Sequence, residues 1–546
     1  MLFNSFEFLF AFLPLTVIVF FVLGTKSRSW ALGWLILASL GFYAWWRPLN
    51  VLIIAPSIVI NYFAAQVLLR LGQKEDRKGA ARTVLLLGVA FNIAFLGYFK
   101  YTDFFAGSIN DVFGTNLVLL HIILPLGISF ITFQKIAFLM DVHSGRVKSV
   151  TFRDYCLFVL FFPQLIAGPI VHYREMMPQF QNAPCRFDKE NVAVGLTLLC
   201  FGLFKKVVLA DSIAPFVTPI YEQAAADGGT TLLFAWIAAF GFTLQLYFDF
   251  SGYSDMALGL ARFFGVKLPQ NFDSPLKATS IADFWARWHM TLTRFLTGYL
   301  YNPLVLWLTR RRASKGLPGL VAGKATVGAF ASLIVFPMLL TMFLSGVWHG
   351  AGYTFIIFGL LHGVYLTINH AWRQFGSRLW RDRATHDRWM NPIGWMLVFI
   401  GVMVANVFFR SPTVATALDI LKGMVGLHGL ALPQAIYEGL GPVAGMLQSI
   451  GVKVMAPGLW SQRDFMLMMA WIVGLALIAY GFPNTLQILA RYEPALGVKP
   501  PAAGAPLLQR ALAWTTSLPW AVAVSVLALV GVLKLGGPSA FLYWQF

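Results

Sequence analysis

The sequence predicts an all-α, polytopic membrane protein, and three observations carry that expectation. Hydrophobic residues make up 58% of the 546-residue chain and charged residues only 12%, about half the charged share of a soluble domain. Mean hydropathy is +0.70. Apolar runs near the roughly 20 residues that a bilayer span requires recur from end to end. Lipid offers the backbone no hydrogen-bond partner, so each span must be a helix or part of a closed barrel. Long, continuously apolar runs exclude the alternating pattern of a barrel.

The runs place spans at about 6–24, 30–46, 51–70, 83–100, 117–140, 192–216, 231–248, 326–344, 353–370, 393–409, 465–482 and 517–533. Shorter apolar pieces near 103–113, 155–171 and 256–265 predict re-entrant or interfacial helices, tolerated only where protein or a water-filled cavity covers them. No basic segment precedes the first run and no small-residue cleavage site follows it, so it is expected to be a retained helix.

The net charge of +18 fits basic residues gathered in many short cytoplasmic loops. They are scattered between apolar runs, which argues against a nucleic-acid partner. Lys26 and Arg28 mark the first loop, and Lys74, Arg77, Lys78 and Arg82 the third, with only Arg47 between them. The N-terminus is therefore expected to face outward. Arg310, Arg311, Arg312 and Lys315, and then Arg373, Arg378, Arg381, Arg383 and Arg388, read as cytoplasmic clusters. The stretch from Arg174 to Lys206 fits no simple alternation. Of the longer connections, 426–464 is expected outside and 483–509 in the cytoplasm. Cys156, Cys185 and Cys200 show no metal or redox spacing, and no other cluster suggests a metal.

Chemistry concentrates in a few motifs. Trp348-His349-Gly350 sits between two apolar runs. A histidine at membrane depth is costly unless it is paired or lines a polar cavity, which makes it a functional candidate. Its imidazole suits a general base toward a hydroxyl or thiol; a histidine hydrogen-bonded between helices is the plainer reading. His362, on the next run, either orients His349 or is a satisfied core histidine. A second pair, Trp288-His289, lies in Phe284-Trp285-Ala286-Arg287-Trp288-His289, which is expected to start a helix opened by Ser280 or Asp283. On one continuous helix Arg287 and Arg294 share a face. Such a face is suited to a phosphate-bearing donor, or equally to an interfacial helix with snorkelling arginines.

Asp249, Ser254 and Asp255, in Tyr247-Phe248-Asp249-Phe250-Ser251-Gly252-Tyr253-Ser254-Asp255, put two carboxylates beside hydroxyls after an apolar run. Buried acids need partners, and the arginines of 287–294 or nearby helix N-termini are the candidates. The motif is either the polar wall of a substrate channel or an interhelical network. The stretches 125–134, ending in Gln134, and 162–170 are interrupted by glycine and proline, as in broken helices that line membrane sites and in packing kinks.

Taken together, the chain resembles the membrane-bound O-acyltransferase family, in its bacterial alginate O-acetyltransferase-like branch. The matching pieces are LPLGISFITFQ (124–134), FPQLIAGPIV (162–171), YFDFSGYSDMALGL (247–260), FWARWHMTL (284–292), YLYNPL (299–304), WHGAGYTF (348–355), NVFFRSPTVATAL (406–418) and the final FLYWQF. The resemblance implies one acyltransferase domain over 1–546, with core motifs about 120–420 and accessory helices about 460–546. It implies a ring of about 11–14 transmembrane helices plus re-entrant helices around a central funnel or tunnel. It casts His349 as general base or transient acyl carrier and His289 as its companion. From the residues themselves, Trp348 and Trp288 are expected to wall the tunnel, and Arg287, Arg294, Asp249, Ser254, Asp255 and Gln134 to bind substrate. It implies acetyl-CoA as the donor substrate, no bound cofactor, a periplasmic esterase-like partner, a polysaccharide acceptor and an inner-membrane location. Two departures stand out: Ala286 precedes Arg287 where relatives often have a second arginine, and an extended arginine-rich loop follows Tyr301. D-alanyl or peptidoglycan acyl transfer on the same fold is the alternative, and a proton-coupled transporter using His349 is the alternative of another class.

Overall fold

Leu232–Phe263 is the axis of the molecule. In the most apolar 18-residue window of this helix 78% of the residues are buried, against 22% in Lys78–Phe113 at the perimeter. The computed structural model describes the whole chain except residues 183–184, 321–325, 377–381, 433, 450, 455–460, 503, 538–541 and 543–546. Among the described residues nine helices are long and apolar enough to cross a membrane: Phe8–Lys26, Leu49–Gly72, Lys78–Phe113, Lys189–Asp227, Leu232–Phe263, Val327–His349, Tyr353–Phe375, Ala384–Arg410 and Gln462–Gly481. Arg28–Ala44 and Leu518–Leu533 are shorter apolar helices. The described sheet is one parallel pairing, Ala431–Leu432 with Lys453–Val454. The protein is all-α and multi-pass, as its composition requires. Leu86, Ile93, Phe63, Leu477 and Val526 are among many large apolar side chains left exposed on the outer helices. Such a surface is at home against lipid and not against water.

Several expected boundaries move. The apolar piece at 103–113 is no separate helix; it completes Lys78–Phe113, which ends at the left-handed Gly114. The piece at 256–265 likewise extends the central helix to Phe263. The span expected at 117–140 is a helix only from Ile128 to His143. Pro125 and the left-handed Gly127 defer its start, and the preceding irregular stretch finds hydrogen bonds elsewhere. The Asp103 carboxylate accepts the backbone N–H of Leu120 at 2.7 Å and of Ile122 at 2.9 Å. Conversely, 155–171 is interrupted and buried as expected: two short helices, Phe152–Leu160 and Phe162–Leu165, lead into irregular chain. Arg378 and Arg381 of the second basic cluster, and the final FLYWQF apart from Leu542, lie outside the described residues.

Small residues let the central helices approach. Gly195 and Gly202 on Lys189–Asp227 face Gly259 and Gly252 on the central helix. A Cβ on Gly202 would stand 2.5 Å from the Gly252 carbonyl oxygen, and one on Gly259 2.5 Å from that of Gly195. Close backbone contact of this kind replaces the hydrophobic drive that lipid does not supply between helices.

The same crossing buries charge. Lys206 lies in a π-turn of Lys189–Asp227 and its ammonium reaches Asp211 Oδ1 at 2.6 Å and Asp249 Oδ1 at 2.7 Å. Lys205 meets Asp255 Oδ2 at 2.6 Å. The backbone N–H of Leu542 donates to the other Asp249 oxygen at 3.2 Å. The carboxylates of the central helix therefore pair with lysines and not with the arginines of 287–294, because the glycine contacts bring Lys205 and Lys206 alongside them. Breaking a buried ion pair strands one charge at a cost of about 3–5 kcal/mol. Lys206→Met, which takes the lysine from both Asp211 and Asp249, is expected to lower the thermal midpoint in detergent more than Asp249→Leu, which leaves Lys206 paired with Asp211, and the double variant is expected to recover part of the loss caused by Lys206→Met. A double variant as unstable as the sum of the two would show that the charges are not coupled.

Candidate active site

Several chain segments build the site. Val327–His349 ends at His349, where Gly350 turns the backbone into extended conformation. His349 is 5% exposed. It packs edge-on against Trp348, Phe358 and Phe409, with ring centroids 4.9, 5.6 and 5.5 Å away. Beside it is an enclosed cavity of about 10 Å³, whose walls include His362, Trp285, Trp288 and Asn406, room for about one water molecule. A far larger cavity, about 1190 Å³, follows the same two helices onward, from Tyr365 to Arg373 on one and from Val404 back to His386 on the other. Asp382 stands at its far end. The backbone N–H and then the hydroxyl of Thr385 hold its carboxyl below the ordinary range.

His289 breaks the helix that the sequence suggested over 284–294. It adopts a left-handed conformation, φ 42°, between Ile281–Arg287 and Met290–Leu296. A non-glycine residue there is strained, and such strain persists where surrounding bonds over-determine it. Asn271, fully buried, supplies those bonds. Its backbone oxygen accepts the Met290 N–H at 3.0 Å. Its side-chain oxygen accepts the Thr291 hydroxyl at 2.9 Å and the Thr291 N–H at 3.3 Å, and lies 3.1 Å from His289 Nδ1. A backbone N–H can only donate, so the Asn271 oxygen is the atom that faces His289. Nδ1 then carries the proton and Nε2 the lone pair. The Asn271 amide nitrogen donates to Ser254 Oγ at 3.3 Å, so Ser254 acts on the site through Asn271.

The indole of Trp348 links the two histidines, its centroid 6.2 Å from His289 and 4.9 Å from His349. Phe133 stacks on the same indole at 5.1 Å and Phe130 meets it edge-on. Trp288 stacks on Phe284 and lines the small cavity. Trp285 donates its indole N–H to His362 Nδ1 at 3.2 Å. An indole only donates, so His362 carries its own proton on Nε2.

Not every expected residue joins this centre. Arg287 ends one short helix and pairs with Asp283 at 2.8 Å, while Arg294 lies on the next and makes a two-pronged pair with Glu175, both prongs 3.0 Å. The break at His289 ends their shared face, and both guanidiniums already hold carboxylates. Gln134 donates to the Phe158 carbonyl at 3.3 Å, bracing the interrupted segment. Asp249 and Asp255 serve the lysine network. Asn271, Asn406 and Lys100 escaped the sequence reading. An Asn or Lys inside an apolar run is the signal that could have found the last two.

An aromatic, water-poor chamber with two histidines at its centre, enclosed by membrane helices, suits group transfer onto a hydroxyl. Comparison with known proteins gives the class. The profile of MBOAT, the membrane-bound O-acyltransferase family, matches residues 145–317. The chain is 41% identical over 461 residues to a peptidoglycan O-acetyltransferase from Helicobacter pylori, spanning 79% of this chain and 81% of that protein. It is 37% identical over 429 residues to the probable alginate O-acetylase AlgI of Pseudomonas aeruginosa, spanning 78% and 75%. It is also similar to a teichoic acid D-alanyltransferase from Bacillus subtilis, 28% identical over 280 residues, which are 50% of this chain and 65% of that protein. The chain belongs to the membrane-bound O-acyltransferase family and is an acyltransferase.

Proposed function

We propose that the protein is an inner-membrane O-acetyltransferase that passes acetyl from cytoplasmic acetyl-CoA toward a sugar hydroxyl of a cell-surface polysaccharide, through a periplasmic esterase-like partner. One observation carries the reading: His349 and His289 meet at Trp348 in a buried chamber, and a cavity of about 1190 Å³ lies further along the two helices that bring Phe358 and Phe409 against His349. The acetylating relatives favour acetyl over D-alanine as cargo, since they align over more of the chain and at higher identity. Membership of an acyltransferase family likewise weighs against the transporter alternative.

In this mechanism the larger cavity admits the thioester. His349 removes the proton from the attacking hydroxyl as its oxygen adds to the acetyl carbonyl. The tetrahedral intermediate collapses, the carbon–sulfur bond breaks, and the leaving thiolate takes the proton back from His349. His289 contributes a lone pair on Nε2, fixed by Asn271, that holds a hydroxyl or a bridging water in place. The aromatic walls keep bulk water from competing as acceptor.

The test is isotopic. Cells carrying or lacking the protein are compared for the acetyl content of their surface polysaccharide by mass spectrometry, and purified protein is assayed for release of coenzyme A from labelled acetyl-CoA. Loss of polymer acetylation together with acetyl-CoA turnover is the expected result. Unchanged acetyl content with no turnover of acetyl-CoA rejects the reading.

A further inference from the structure

The perimeter helix Lys78–Phe113 carries one ammonium that turns inward at the level of the site. Lys100 Nζ donates to the carbonyl of Trp348 at 2.5 Å and to that of His349 at 3.1 Å. The next residue, Tyr101, donates its hydroxyl to the carbonyl of Val347 at 2.5 Å. The last carbonyls of a helix have no partner within it, and they carry the negative end of its dipole. Here three consecutive ones are met by two neighbouring side chains of a single helix. Among the described residues Lys100 makes no ion pair and no other hydrogen bond. A lysine on a membrane helix is costly without such a role.

The same helix also holds the far side of the turn. Tyr353, the first residue of Tyr353–Phe375, donates its hydroxyl to Ser108 Oγ at 3.0 Å and packs its ring on Phe104 at 5.3 Å. The turn 350–352 is thus gripped from both ends, and His349 hangs from the gripped backbone.

We infer that Lys100, with Tyr101, is a positioning residue for catalysis, fixing the carbonyls of Val347, Trp348 and His349 and through them the placement of the His349 ring. The inference rests on His349 being the reacting histidine. Lys100 touches neither substrate nor reacting atoms in this role. A misplacement of the order of 1 Å at a reacting group costs up to about a hundredfold in rate, so loosening this grip should appear in turnover and not in donor affinity.

The experiment uses full-length purified protein in detergent, with acetyl-CoA as the probe and coenzyme A release as the readout, normalised to folded protein by size-exclusion chromatography. Lys100→Met keeps the length of the side chain and removes its donors. It is expected to lower kcat by about tenfold or more while KM for acetyl-CoA stays within about twofold, and Lys100→Arg is expected to restore most of kcat. An unchanged kcat per folded molecule, or a fall in folded yield alone, overturns the inference. If Lys100→Met does not fold, Tyr101→Phe carries the test: about a threefold loss of kcat at unchanged KM supports the inference, and wild-type kcat overturns it. His349→Ala run alongside separates the two claims. Its retained activity would remove the underlying reading, whereas an inactive His349→Ala beside fully active Lys100 and Tyr101 variants would remove only this inference.

Discussion

His349→Ala is expected to abolish acetyl transfer, lowering it by at least about a hundredfold, the lower end of what a positioned general base supplies. Folded protein should remain. The ring already borders a small void, and Trp348, Phe358 and Phe409 stay to wall it. His349→Gln should be equally inactive, because an amide keeps a hydrogen-bonding group of similar size but cannot take up a proton near neutral pH. Acetyl content of the surface polymer and coenzyme A release, each scaled to the amount of folded protein, provide the measurement. Transfer at the wild-type level in either variant would remove His349 from the chemistry.

A large structural effect is expected at Gly359. Its helix crosses Val327–His349 so closely that a Cβ would lie 2.3 Å from the Met342 carbonyl oxygen and 2.9 Å from Gly346 Cα. Both obstacles are backbone and neither can rotate away. Overpacking of this kind costs about 1–3 kcal/mol and sometimes more. Because the crossing lies one turn from His349 on one helix and one turn from His362 on the other, separating the helices also opens the chamber. Gly359→Val should give little folded protein, and Gly359→Ala a lower thermal midpoint. Gly474→Ala, on a helix where a Cβ meets nothing within 4 Å, should be neutral or mildly stabilising. Equal thermal stability for the Gly359 and Gly474 variants in detergent would contradict the close crossing.

The sequence made some of this architecture legible and hid the rest for physical reasons. Composition alone required membrane helices, and the costs of polar groups in lipid singled out His349 before any geometry was known. Trp288, His289, Trp348 and His349 were named from the chain and the fold brings them together. The helix expected through 284–294 failed because periodicity reports what a segment prefers, whereas His289 is forced into a left-handed turn by bonds to Asn271, which lies 18 residues earlier in the chain. The partners of Asp249 and Asp255 were misjudged for a related cause. Which cation reaches a buried carboxylate depends on which helices touch, and the glycines of 195, 202, 252 and 259 decide that. Spans were divided wrongly where a helix outran its apolar stretch, as in Lys78–Phe113, whose polar end is held in place by the chain folding back onto Asp103.

The chamber draws its walls from widely separated stretches of chain: Lys100 behind His349, Asn271 behind His289, and Asn406 with Phe409 closing the far side. During synthesis those parts enter the membrane one after another. A nascent chain halted before the helix ending at Arg410 would hold both histidines yet lack Asn406 and Phe409, which wall the small cavity beside His349. A chain truncated before that helix is therefore expected to be inactive even though it carries both histidines.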